Sequence, residues 1–466
     1  PTRRRRSNKG RLSKANALAA ADQSAPIGAD EFEQLMAMLG PFEEGPTLAV
    51  AVSGGPDSMT LCLLADRWAK RRSGRILALV VDHRLRPEST DEALRVGGWL
   101  DDFGIEHALL TRHGPDISVA VHARARAARY GLMGDYCRDK GILHLLLAHH
   151  RDDQAETMLL RIAGASGLDG LAAMAAVVEG NGLRLLRPLL ALPLARLRAT
   201  LAAQDLPSID DPSNRNLAFG RVRMRRLAPT LAADGVSTQR LTSTAAALGR
   251  ARAVMEGAVA NFLAAAVTIH PAGFCRLDGE AYRAAPDEIA KRALARMLLC
   301  IGGADYGPRG ERLQRLHGAL ADGALAVGRT LGGCRVLPSS RSILICREPR
   351  VVSGPVRLLA CESLLWDGRF LLTAGTGETP IMVRRLDRES WSLIPKQDRK
   401  VLRNRLPGAV RPSLPALCDL DGIVAVPHLG YMRRGLEYGK DGAYSAEFRP
   451  AQGLAPAVFA FVATTG

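Results

Sequence analysis

The sequence predicts an α/β protein. It should have an N-terminal doubly wound parallel sheet, a helical middle domain and a small α+β C-terminal domain. Three observations carry that reading. Between residues 47 and 150, solid apolar runs alternate with helix-spaced segments. Those runs do not alternate apolar with polar, so both faces of each strand are buried, as in a parallel sheet covered by helices. From about Arg225 to Arg329 Ala, Leu and Arg recur at helical spacing, and from 355 onward Pro, Gly and short strand-like runs take over.

The elements follow in order. Residues 1–30 begin "PTRRRRSNKGRLSK", with no apolar segment of a secretory signal, and are expected to form a basic flexible arm. Residues 31–40 form a short helix, "TLAVAV" a strand, Asp57–Lys70 a helix and "RILALVVDH" a strand. Asp91–Phe103 is helical, "IEHALLT" a strand, Val119–Lys140 a long helix and "ILHLLLAHH" a strand, with a further helix from about Asp152. The expected domains are 31–228 (catalytic), 229–350 (mostly helical) and 355–466 (small, α+β). The length of 466 residues suits two or three cores.

Lys and Arg outnumber Asp and Glu by 63 to 47, a net charge of +16, which points first to a nucleic-acid partner. The eight cysteines form no C-x-x-C pair and sit among apolar neighbours, so neither a disulfide frame nor a zinc site is expected. They fit a reducing compartment, taken as the cytoplasm. No apolar run reaches the length of a membrane span, and no obligate protein partner is evident.

In a doubly wound sheet, ligands bind outside the carboxyl ends of the strands. The informative residues cluster there, after Val52, Val81 and Ala148. In "LAVAVSGGPDSMTLC" (48–62) the strand breaks into Ser53-Gly54-Gly55-Pro56-Asp57-Ser58 and resumes as a helix. The glycines allow a tight turn and close backbone approach, while Ser53, Ser58 and the N–H groups of the helix start can hold phosphate oxygens. The stretch lacks the Lys of a G-x-x-x-x-G-K-[ST] loop and carries Asp57 instead. A carboxylate beside phosphates makes sense with Mg²⁺ between them.

The second cluster is "LLLAHHRDDQAETMLLRIAGASGLDGLAAM" (145–174). On a helix beginning near Arg151, Asp153, Glu156 and Thr157 share a face near the N-terminus, with His149 at the strand end before them. Gathered carboxylates are costly without cations, which Mg²⁺ and a substrate ammonium would supply. "VVDHRLRPES" (80–89) places Asp82 and His83 at another strand end. "ARARAARY" (123–130) offers Arg126 and Arg129, and "DDPSNRNLAFGRVRMRRLAP" (210–229) offers Arg215, Arg221, Arg223, Arg225 and Arg226.

The SGGPDS loop matches the signature of the PP-loop (N-type ATP pyrophosphatase) superfamily, whose fold is Rossmann-like. With VDHRLRPES, ARARAARY, LAHHRDDQAET, SGLDGLAAM, RPLL and DPSN, the chain resembles the long, three-domain form of the tRNA(Ile)-lysidine synthetase family over roughly residues 46–230. The C-terminal likeness is looser, carried by phrases such as "VPHLGY" (426–431). One departure is Val222, where the family usually has Asn; Arg221 and Arg225 still align.

The resemblance implies an ATP-dependent enzyme that ligates L-lysine to C2 of the wobble cytidine of tRNA(Ile) with a CAU anticodon. The base is first adenylated with release of pyrophosphate, and the lysine ε-amine then displaces AMP. It implies ATP binding by Ser53, Gly54, Gly55, Pro56, Asp57, Ser58, Val81 and Asp82, and metal binding by Asp57 and Asp153. Lysine falls to Asp153 and Glu156, and phosphate or tRNA contact to Arg126, Arg221 and Arg225. Asp57, His149, Asp153, Glu156 and Arg129 form the implied catalytic set. His149 either accepts the amine proton or contacts the α-phosphate, and Arg129 binds the α-phosphate or stabilises its transition state. The alternatives are another PP-loop tRNA enzyme, a thiolase, and a non-catalytic tRNA-binding protein. A thiolase needs persulfide or cluster chemistry that the absent C-x-x-C pair disfavours. A small-molecule amidotransferase of the superfamily needs neither the charge nor the basic helical region.

Overall fold

The computed structural model describes residues 24–82, 84, 88–112, 121–180, 182–209, 216–304, 306–308, 310–339, 341–374, 381–433 and 444–454, without the side chains of 121–127. Most of the expected basic arm, His83, the side chain of Arg126 and the DPSN turn with Arg215 lie outside these residues. The chain forms two compact units, residues 1–254 with 457–466, and residues 255–456.

The first unit is built on a six-stranded sheet. Its elements are α1 (Ala29–Ala37), β1 (Thr47–Val52), α2 (Pro56–Lys70), β2 (Arg75–Asp82), α3 (Ser89–Asp102), β3 (His107–Thr111) and α4 (Val121–Asp139). There follow β4 (His144–Leu146), α5 (Arg151–Ala163), α6 (Leu168–Leu171), β5 (Val177–Gly180), β6 (Leu183–Leu186), α7 (Leu194–Ala202) and α8 (Gly220–Ala233). Strand order is β3-β2-β1-β4-β6-β5, parallel except for the β5–β6 pair. The chain runs outward from β1 to β3 and returns to the other side of β1 as β4. This reversal opens the crevice where such sheets bind ligands.

The apolar runs of β1 and β2 are buried on both faces, as their composition predicts. On one face Phe32, Met59, Leu61, Trp68, Val96, Leu100 and Leu197 pack from α1, α2, α3 and α7. On the other, Met133 and Cys137 of α4 pack against Leu79 and Leu145. Pro56 opens α2 at a position where its missing N–H costs nothing.

Helix α9 (Thr238–Ala266) is followed by β7 (Val267–His270), β8 (Phe274–Asp278), α10 (Gly279–Ala284), α11 (Asp287–Gly302) and α12 (Glu311–Ala321). Next come β9 (Arg329–Leu331), β10 (Cys334–Ser339) and β11 (Ser342–Arg347). In the second unit β7-β8-β11-β10-β9 form an antiparallel sheet, on which Leu294, Met297, Leu298 and Ile301 of α11 pack. The helices of this region follow the helical periodicity of its sequence; the strands between them are short, of three to six residues.

The rest of this unit holds β12 (Val356–Leu358), β13 (Ser363–Trp366), β14 (Phe370–Thr373), β15 (Ile381–Arg385), α13 (Arg388–Leu393) and α14 (Lys396–Leu402). It ends with β16 (Pro415–Asp419), β17 (Gly422–Val426), β18 (Tyr431–Met432) and β19 (Ser445–Phe448). They form a sheet β12-β15-β16-β17-β18 and a smaller one β13-β14-β19. Phe274, Leu344 and Cys346 share one core with Leu386, Leu414 and Val426. A buried ion network joins the two parts of the unit: Arg347 of β11 donates to both carboxylate oxygens of Asp367, and Arg369 pairs with the same carboxylate. All eight cysteines are free thiols, seven of them buried. Among the described residues no helix is long and apolar enough to cross a membrane.

Candidate active site

Two neighbouring strand ends, β1 and β4, build the site. After Val52 the chain turns through Gly54 at φ +80°, and a Cβ there would lie 2.6 Å from Val96 Cγ2. Glycine is therefore required both for the backbone angle and for the space. The loop is fixed from within by Ser58. Its Oγ accepts the N–H of Ser53 at 3.1 Å and donates to the Gly55 carbonyl at 3.0 Å. The Gly54 carbonyl accepts the N–H of Ile209 at 2.8 Å. The N-terminal turn of α2, carrying Asp57, thus faces the crevice with its positive dipole end.

A cavity of about 320 Å³ opens at these strand ends, lined by Ser53, Asp57, Ser58, Val81, Arg129 and His149 among others. It therefore gathers the loop, the end of β2, helix α4 and the end of β4. Gly55 also lines it, while Gly54 and Pro56 shape the loop behind it. Asp82 is placed differently. It is buried, its Oδ1 accepts the N–H of Arg84 at 2.9 Å and its Oδ2 accepts the hydroxyl of Thr90 at 2.7 Å. Its carboxylate is thus engaged by Arg84 and Thr90, and Val81 lines the cavity.

Helix α5 carries the second group. The backbone N–H of His150 donates to Asp153 Oδ2 at 3.1 Å and fixes the helix start. Arg221 of α8 lies 3.6 Å from Asp153 Oδ1, and Arg225, one turn on, donates from Nε to Glu156 Oε1 at 2.8 Å. Two carboxylates on one face of α5 thus meet two guanidiniums on one face of α8. Val222 points away from that face and is buried. Burial raises the pKa of Glu156; Arg225 pulls it back, Asp153 pushes it further up, and the net direction is upward.

The residue missed in the sequence is His150. It is buried, with its ring nitrogens 3.6 Å from Asp57, 3.5 Å from Asp152 and 3.5 Å from Asp153. Burial pulls its pKa down, but hydrogen bonding and charge from Asp152, Asp57 and Asp153 outweigh that and push it up to about 10. An imidazolium therefore sits among three carboxylates. Adjacent residues on extended backbone face opposite ways, so only one of His149 and His150 can line the cavity. That alternation was the available signal.

Asp57 Oδ1 and Glu156 Oε2 are buried without a hydrogen-bond partner. Among the described residues no three His, Cys, Asp or Glu side chains are arranged as they stand to hold a metal ion. The free Asp57 oxygen nevertheless suits Mg²⁺, which commonly takes one or two carboxylates and completes its shell with phosphates and water. A second cavity, of about 710 Å³, is lined by Ala155, Leu159, Leu194 and Leu241 with Glu156 and Arg225 at its polar wall.

The PP-loop domain family matches residues 28–231. A tRNA(Ile)-lysidine synthase of Bradyrhizobium sp. strain BTAi1 is 41% identical over 344 residues, covering 70% of this chain and 95% of that protein. One from Ruegeria pomeroyi is 38% identical, covering 70% of this chain and 76% of that protein. Another, from Orientia tsutsugamushi, is 31% identical over 410 residues, covering 85% of this chain and 92% of that protein. The solved structure of the U34-tRNA thiolase NcsA from Methanococcus maripaludis superposes with a TM-score of 0.41 at 15% identity, over 46% of this chain and 76% of that one.

Proposed function

The chain belongs to the tRNA(Ile)-lysidine synthase family, a family of ligases, and from that premise we propose that it joins L-lysine to C2 of the wobble cytidine of a CAU-anticodon tRNA(Ile) at the expense of ATP. The carrying observation is the cavity in which the Ser53–Ser58 loop, Arg129 and His149 meet beside the carboxylates of α5.

In this reading ATP lies in the 320 Å³ cavity with its β- and γ-phosphates on the loop and its base near Val81. Asp57 and Asp153 would hold Mg²⁺, which would supply charge neutralisation for the departing pyrophosphate. Arg129 faces the α-phosphate, where a fixed guanidinium suits equatorial oxygens. The cytidine O2 attacks the α-phosphorus and pyrophosphate leaves. The lysine ε-amine then attacks C2, loses a proton to His149 or a carboxylate, and AMP leaves.

Lysine itself fits the second cavity. Its aliphatic stem suits Leu159, Leu194 and Leu241, and its ammonium suits the unpartnered Glu156 Oε2, with Asp153 adding negative charge. Arg221 and Arg225 hold the two carboxylates in place and add positive charge for an entering RNA. Arg126, on the same helix as Arg129, is assigned to tRNA phosphate contact. The free thiols support a reducing compartment, the cytoplasm.

The test is transfer of radiolabelled lysine into two CAU-anticodon tRNAs, of isoleucine and methionine type, with ATP and Mg²⁺. Label only in the isoleucine tRNA is expected. ATP splitting to AMP and pyrophosphate without label in either RNA would move the function to another nucleophile.

A further inference from the structure

The second unit has a cavity that the reaction above does not use. It measures about 510 Å³ and is lined by Arg312, Arg315, Arg329, Gly332, Gly333 and Glu348, among others. Arg312 and Arg315 are three apart on α12 and share a face; Arg329 opens β9. Gly332 and Gly333, at φ +59° and +72°, make the two-residue turn between β9 and β10.

The three arginines are exposed, and none makes an ion pair or hydrogen bond within the described structure. This sets them apart from the neighbouring helix α11, where Arg292 pairs with Glu288 and Glu256, and Arg296 pairs with Glu256. Glu311 lies four residues before Arg315 on α12, yet the two form no pair. Among the described lining residues Glu348 is the one carboxylate, which leaves these residues a surplus of two positive charges. Three converging guanidiniums repel each other, and an anion between them removes that cost.

We propose that this cavity is a phosphate-binding site that takes a backbone phosphate of the RNA substrate. The volume suits a phosphate with its sugar rather than a phosphate alone. Among the described lining residues there is no aromatic ring on which a base could stack, so the contact reads backbone and not sequence. Exposed arginines around an open cavity suit a large polyanion that presents its phosphates from outside. The proposed function enters only in naming that polyanion as tRNA.

The experiment compares the full-length chain with R312A/R315A/R329A and with R312K/R315K/R329K. Affinity is measured across a salt series for the isoleucine and methionine CAU tRNAs and an unrelated tRNA. The alanine variant should weaken all three roughly tenfold or more, and the slope of log K against log salt should become shallower by about 2. The lysine variant, which keeps the charge, should recover most of the slope. It also serves as the folded control if the alanine variant melts early.

Unchanged affinity and slope in the alanine variant overturns the proposal, as does a loss confined to one tRNA. A calorimetric arm titrates inorganic pyrophosphate and AMP. Small-anion binding lost in the alanine variant while RNA binding stays intact would assign the cavity to a free phosphate compound and also overturn it. Lysine incorporation by the unaltered chain is followed in parallel. Absent label with salt-dependent binding that needs the three arginines sinks the lysidine reading alone. Label with arginine-independent binding sinks the cavity alone.

Discussion

Arg225 and Glu156, 69 residues apart in the chain, share a charge-assisted hydrogen bond of 2.8 Å that ties α8 to the helix carrying the site carboxylates. Arg225→Ala leaves a buried carboxylate without its counter-charge. Because Arg225 is 47% exposed, the expected loss of stability is modest. It should be roughly 1 kcal/mol, read from a denaturant melt. Function should suffer more: lysine incorporation falls at least tenfold. Burial already raises the Glu156 pKa and Arg225 opposes it, so the variant should lose activity at a higher pH than the parent as acid is added. Arg225→Lys should restore the charge but not the directed Nε–H.

Asp57→Asn separates chemistry from folding. Asp57 Oδ1 is buried with no hydrogen-bond partner, and the His150 that faces its Oδ2 at 3.6 Å keeps Asp152 and Asp153 as counter-charges, so removing the Asp57 charge costs the fold little. Pyrophosphate release from ATP should fall by about a hundredfold or more at saturating Mg²⁺, with unfolding free energy within about 1 kcal/mol of the parent. Full pyrophosphate release in this variant would remove Asp57 from the metal site.

Gly54→Ala tests the loop geometry. The new Cβ would need φ +80° and would lie 2.6 Å from Val96 Cγ2 and 3.1 Å from Ile209 Cδ1. A loss of about 2 kcal/mol and weakened ATP binding by calorimetry are expected.

The second unit should be acid-sensitive through His428. Burial, followed by the nearby His270, depresses its pKa to about 4 against an opposing pull from the Pro271 backbone. The unfolded state, with an ordinary histidine pKa near 6.5, binds the proton more readily. Stability is therefore full above about pH 6.5 and declines toward pH 4, by up to about 3 kcal/mol. His428→Leu should flatten that decline in melts taken across this range. An unchanged decline would place the acid sensitivity elsewhere.

Thiol labelling gives a direct check on the cores. Cys361 is exposed, whereas burial pushes Cys62 and Cys334 up to about 12 and Cys137, Cys300 and Cys346 up to about 11. A disulfide reagent at neutral pH should modify one thiol quickly, and the other seven only on unfolding.

What was legible in the sequence follows the range of each interaction. The alternation from β1 to α5 is local, so the parallel sheet and the loop at Ser53–Ser58 could be read from composition and glycine placement. Asp82 could be placed at its strand end, but the hydrogen bonds that occupy its carboxylate come from Thr90 and the backbone of Arg84. The pairing of Arg221 and Arg225 with Asp153 and Glu156 joins helices far apart in the chain, Arg225 lying 69 residues beyond Glu156, and no local pattern encodes it. His150 was overlooked because two adjacent histidines are equivalent on paper, and only the phase of the extended backbone tells them apart. The strands of the second unit are too short to compete with the Ala- and Leu-rich helices around them.

The Arg347–Asp367–Arg369 network carries a consequence for anyone dissecting the molecule. The carboxylate that neutralises Arg347 lies 20 residues further along, and Arg369 is wholly buried beside it. A cut placed between positions 347 and 367 would strand a cation on one fragment and an acid with its own arginine on the other. Both pieces would also expose half of a shared core. The unit from Met255 to Pro456 should therefore behave as one melting body, and trimming it from the C-terminal side should yield aggregates rather than a smaller soluble enzyme.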